Sequence, residues 1–138
     1  MISYKNHPLA AISSGNKNRL RKSAFSKRLN LEEEFIERNS IKISNHLINN
    51  FSLIKKNVHL FYPILKNKEV NTWHIHNAIN SNTAIFTSLY VKSKNNWECI
   101  SFKSSVKFTT GELEIPVPID YMLETLDKIE VILIPLLV

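Results

Sequence analysis

The residues with the clearest chemical potential are basic. Lys17, Arg19, Arg21, Lys22, Lys27 and Arg28 follow one another with no acidic residue among them, and Glu32, Glu33 and Glu34 come directly after. Lysine offers a compact point charge and arginine a two-pronged donor, so such a run suits phosphate or another anion. The competing explanation is a solvated basic helix face. The chain as a whole carries 18 Lys and Arg against 12 Asp and Glu, a formal charge of +6. The excess is concentrated, which fits one local anion site better than a surface that coats nucleic acid.

Other residue types with chemical potential are poorly supported by their spacing. His74 and His76 would share a face on a strand and could then hold a metal, but the pattern predicts a helix here, where residues two apart diverge. Cys99 stands beside Glu98, with no basic neighbour to lower its pKa, so it is not expected to act as a catalytic thiol. Trp73 and Trp97 are expected to be packing residues. The chain holds two glycines, Gly15 and Gly111, where average usage of about 7% gives roughly ten. No glycine-rich phosphate cradle can be written from them.

The elements that must position these residues alternate. Residues 1–15 lack periodicity and read as a flexible lead-in, followed by a single domain over 16–138. A helix starts at Asn16 and stops at Asn30. Asn30 is expected to cap a second helix with Glu33 as the reciprocal member, and that helix would present Ile36, Ile43, Leu47 and Phe51 on one face. Val58 to Tyr62 reads as a strand ended by Pro63. Thr72 is the expected N-cap of a helix carrying Ile75 and Ile79. Thr83 to Val91, Trp97 to Phe102 and Val106 to Thr109 read as strands, Pro116 and Pro118 as an extended segment, and Tyr121 to Leu126 as a helical turn or two. Glu130 to Val138 is apolar on consecutive positions, which predicts a strand covered on both faces. The order predicts an α/β fold with a doubly wound, mostly parallel, Rossmann-like sheet. One cysteine, no signal-like start and no apolar run near the roughly 20 residues of a membrane span make the cytoplasm the expected compartment and a membrane an unexpected partner.

Three ordered segments resemble the 5-formyltetrahydrofolate cyclo-ligase (methenyltetrahydrofolate synthetase) family. Lys17-Asn18-Arg19-Leu20-Arg21 is similar to the family's K-x-x-L-R helix start, with Arg28 and the Leu31-Glu32-Glu33 turn behind it. Phe61-Tyr62-Pro63 followed by Lys68-Glu69-Val70-Asn71-Thr72 resembles its strand and E-V-x-T helix start. Ile115-Pro116-Val117-Pro118 and Ile132-Leu133-Ile134-Pro135-Leu136-Leu137 resemble its I-P-E/Q-P segment and late L-V-P strand.

The resemblance implies a fold like that of the CoA transferases and the ATP-dependent conversion of 5-formyltetrahydrofolate to 5,10-methenyltetrahydrofolate. ATP phosphorylates the formyl oxygen, N10 attacks the activated carbon and phosphate leaves. By resemblance, Lys17, Asn18, Arg19, Leu20 and Arg21 contact ATP, with Arg21 also the catalytic residue beside the formyl group. Glu69 and Ile64 hold the folate, the first by accepting from the pterin N–H groups and the second as an apolar wall. Glu69 is otherwise an exposed charge at a helix N-terminus.

The sequence departs from the family at Val117, where Glu or Gln is usual, and at Glu114, where Gly or Asn is common. It also has nothing matching the family's glycine-rich loop, which binds ATP and Mg2+. The expectation is therefore a C-terminally truncated chain with impaired turnover, no magnesium ligands of its own, and self-association through uncovered sheet surface. Two rival readings are a catalytically inactive relative that binds a folate or a partner, and a small basic nucleic-acid-binding domain that would bind in a salt-sensitive way.

Overall fold

The computed structural model describes residues 14–79 and 84–135. They fall into two compact units, one containing residues up to Asn30 and the other spanning Leu31–Pro135.

In the first unit, α1 (Ser14–Leu29) carries the basic run. It starts two residues before the periodicity predicts, and the rest of the 1–15 lead-in lies outside the described residues. Lys27 and Arg28 fill its last turn, where cations complement the helix dipole. The Arg28 guanidinium sits 5.3 Å from the centre of the Phe25 ring.

The second unit is built on a five-stranded sheet. Its strands are β1 (Val58–His59), β2 (Ala84–Val91), β3 (Asn96–Lys103), β6 (Met122–Glu124) and β7 (Val131–Ile132), in the order β6-β3-β2-β1-β7. β1 pairs parallel with β2 and β7, whereas β3 pairs antiparallel with β2 and β6. The α/β class holds, but the sheet is mixed, and only the β2-β1-β7 half is parallel as predicted. A separate ribbon pairs β4 (Phe108–Thr110) with β5 (Pro116–Pro118).

Helices α2 (Glu33–Phe51) and α3 (Trp73–Ala78) cover one face of the sheet. Leu47, Trp73, Ile75 and Ile79 from this layer pack on Val58, Leu60, Ile85 and Phe102, with Leu53 and Tyr62 completing the core. Among the described residues no helix is long and apolar enough to cross a membrane.

Several local expectations are corrected. Glu32, not Asn30, flanks the start of α2, and it makes no side-chain cap. The inner stripe of α2 contains Ser40 and Ser44, both fully buried, while Ile43 and Phe51 are exposed. Small side chains are needed there because backbone comes close: the Asn71 N–H donates to Ser40 Oγ at 2.9 Å.

Thr72 stands at the N-cap of α3 as expected but makes no side-chain cap; the Asn71 Oδ1 beside it accepts from the Trp73 N–H at 3.1 Å. Thr72 instead donates its hydroxyl to the Phe61 carbonyl at 2.6 Å. Residues 122–124 form an edge strand rather than helical turns. The last segment is not covered on both faces: Val131 and Leu133 pack on the core, but Ile132 and Ile134 are 56% and 70% exposed. Alternation of this kind marks a half-buried strand.

Candidate functional site

β1 and β2 run parallel, so the chain must cross over between them, and residues 60–79 form the described part of that connection. Leu60 extends the ladder by one bond, its N–H donating to the Phe86 carbonyl at 2.9 Å. The buried Pro63 then turns the chain outward. The loop that follows is closed by Glu69, whose Oε2 accepts from the Ile64 N–H at 2.8 Å. Lys68, in the left-handed region at φ 52°, donates to the Leu31 carbonyl. Glu37 accepts from the Asn71 side-chain amide at 3.1 Å and pairs with His74 at 2.8 Å. The last two segments of the crossover are thereby tied to the start of α2.

Beneath the loop lies an aromatic cluster of Tyr62, Trp73, His76, Phe102 and Phe108, with ring centres 4.7 to 6.5 Å apart. His76 Nε2 lies 2.8 Å from the Ser104 carbonyl, which can only accept. In the neutral ring, the form that burial favours, Nδ1 then accepts from the Tyr62 hydroxyl at 2.8 Å. Burial holds the His76 pKa below its ordinary value, the Ser104 bond opposing, and pushes the Tyr62 phenol up. His74 and His76 point apart, to Glu37 and to Tyr62 respectively, as helical spacing requires. Among the described residues no group of three His, Cys, Asp or Glu could hold a metal. The Cys99 thiol is pushed up by burial and by Glu124, the reverse of an activated nucleophile.

Over this cluster opens a groove of about 290 Å³ lined by Pro63, Ile64, Leu65, Lys66, Trp73, Thr110, Glu114 and Pro116. Its walls are apolar, and Lys66 and Glu114 form an ion pair at its edge. The crossover loop supplies one side and the β4–β5 ribbon the other. That size is at the small end of ligand sites.

Of the residues singled out in the sequence, Ile64 lines the groove. Glu69 stands behind it, bonded to its backbone. Lys17, Asn18, Arg19, Leu20 and Arg21 occupy the first half of α1 in the other unit, all solvent-exposed. Trp73, Lys66, Glu114 and Pro116 are site residues that the sequence reading did not assign. The departure at Glu114 was the available signal for one of them: Glu114 has φ 61° and its neighbour Leu113 φ 58°, the region where Gly or Asn is favoured.

No family model and no curated protein matches the chain. Its fold is similar to the NMR structure of Aquifex aeolicus 5,10-methenyltetrahydrofolate synthetase, with a TM-score of 0.70 and 23% identity. The match covers 84% of this chain and 58% of that one, so the chain spans little more than half that structure's length. The resemblance to the cyclo-ligases is thus borne out at the level of the fold.

Proposed function

We propose that the groove takes the pterin ring of 5-formyltetrahydrofolate and that the chain belongs to the machinery converting this substrate to 5,10-methenyltetrahydrofolate. The supporting observation is convergence. Two segments that resemble the cyclo-ligases, far apart in sequence, meet at Pro63 and Ile64 on one side of the groove and at Pro116 on the other, within a fold like that of the Aquifex aeolicus enzyme.

In this reading Ile64, Trp73 and the two prolines enclose the ring, which suits a flat heterocycle because apolar walls exclude water without competing for its polar edge. Glu69 keeps Ile64 in place from behind the groove wall, and the role the cyclo-ligase resemblance implies for it, accepting from the pterin N–H groups, would require its carboxylate to reach past that wall. Lys17, Asn18, Arg19, Leu20 and Arg21 would meet the phosphates, with the Arg21 guanidinium stabilising charge on the formyl oxygen. ATP, when bound, supplies the phosphoryl group that makes that oxygen a leaving group. The described residues offer no magnesium-holding trio, so no step is assigned to a metal here.

A second reading is folate binding without turnover. Calorimetric titration with 5-formyltetrahydrofolate tests what both readings share. Saturable binding, weakened at least about tenfold by Ile64→Asp, is expected; burying an unpaired carboxylate against the ring's π-face and the apolar walls accounts for that loss. Absence of binding, or binding indifferent to Ile64→Asp, would overturn the proposal. Appearance of methenyltetrahydrofolate absorbance with ATP and magnesium then separates the two readings.

A further inference from the structure

The groove holds a ring but not a whole folate-sized molecule, so the remainder of the ligand must leave across its edge. There the chain has placed a cation already engaged by a carboxylate of its own. Lys66 and Glu114 both line the groove and pair with each other, and their side chains are 61% and 62% exposed. An exposed pair of this kind is weak, so another carboxylate can replace one partner at little cost.

The segment that delivers Glu114 is under tension. Leu113 and Glu114 both sit in the left-handed region, at φ 58° and 61°, where a side chain crowds the backbone. The turn is nevertheless fixed at both ends. The Gly111 N–H donates to the Ile115 carbonyl at 2.8 Å, and the Ile115 N–H to the Glu112 carbonyl at 3.3 Å. A side chain at Gly111 would begin 2.7 Å from Val117 Cγ1. The left-handed backbone is therefore confined to the two residues that carry the carboxylate to the groove, and the turn holds Glu114 there while its exposed side chain can swing off Lys66.

We propose that Lys66 receives the carboxylate-bearing tail of the groove's ligand and that Glu114 occupies Lys66 in the free protein, so that binding exchanges one carboxylate for another. The inference rests on the folate reading and adds to it that the groove selects for ring compounds with an anionic tail. Glu114 acts as an internal competitor that lowers affinity for every such ligand while leaving tailless rings unaffected.

The test is calorimetric titration of the full chain with 5-formyltetrahydrofolate and, separately, with 6-methyltetrahydropterin, which keeps a pterin ring and has no carboxylate. Glu114→Gln, which removes the charge and keeps the size, should tighten the folate about threefold to fivefold, the range an exposed ion pair commands. Lys66→Gln should weaken the folate by a similar factor and Lys66→Arg should restore it. None of the three should change the pterin's affinity. If wild type binds the folate but Glu114→Gln and Lys66→Gln leave it unchanged, or shift both ligands alike, this inference is wrong and the folate reading survives. If wild type binds neither compound, both fall.

Discussion

The two halves of the sheet spend their connections differently. Between the parallel strands β1 and β2 the chain runs through a long crossover, and that crossover carries Pro63, Ile64, Lys66, Glu69 and Trp73. Between the antiparallel strands β2 and β3 it needs only the turn at Lys92–Lys94 and Asn95. That turn is closed by local contacts: Tyr90 donates to the Asn95 side chain at 2.7 Å and Lys94 to Glu98 at 2.6 Å. A parallel pair forces chain off the sheet, and the forced excursion is where a groove can be built. The hairpin has no such excess and serves only to hold the sheet together.

The largest separation between the halves should come from truncating a core side chain under the crossover. Leu60→Ala, at a fully buried site, is expected to cost about 3 kcal/mol in urea unfolding and to abolish ligand binding. Tyr90→Ala in the hairpin should cost under about 1 kcal/mol and leave binding intact. Next is Tyr62→Phe, which leaves His76 Nδ1 without its donor; about 1 to 2 kcal/mol is expected, and a smaller loss would mean that water replaces the phenol. Asn71→Ala removes the α3 cap and should cost about 1 kcal/mol.

Acid should act on the crossover as well. Burial depresses the pKa of both His59 and His76 in the folded protein. The unfolded chain therefore takes up protons first, and stability present above about pH 6.5 should be lost as pH falls through the folded-state values. A His76→Phe variant should flatten part of that decline in denaturation midpoints measured from pH 7.5 to 5. The smallest effect is expected from Lys94→Ala, within about 0.5 kcal/mol and without consequence for the groove.

How far the sequence foretold this arrangement depended on whether the deciding contact was local. β2 and β3 were legible because each carries its own run of β-branched and aromatic residues. The edge strand at 122–124 was not, since its pairing is decided by the open side of β3. The terminal run misled because Ile132 and Ile134 have the composition of buried residues and are exposed. Ser40 and Ser44 were not read as inward-facing because they are polar, yet both are buried, Ser40 where it accepts from the Asn71 backbone. Thr72 and Asn71 stand side by side and both could cap; only the position of the Phe61 carbonyl decides between them. Ile64, named through the cyclo-ligase resemblance, lines the groove. Its partners Glu114 and Pro116 were not legible as site residues, because the β4–β5 ribbon that brings them there is a tertiary feature.

The chain's two tryptophans divide between the compared regions: Trp73 lines the groove, and Trp97 lies on β3 against Tyr90, ring centres 5.3 Å apart. Tryptophan fluorescence under titration with 5-formyltetrahydrofolate, corrected for ligand absorbance, should be quenched to saturation in Trp97→Phe, which reports from Trp73 alone. It should be unchanged in Trp73→Phe, which reports from Trp97. Quenching that follows Trp97, or none in Trp97→Phe, would contradict a folate site in the groove.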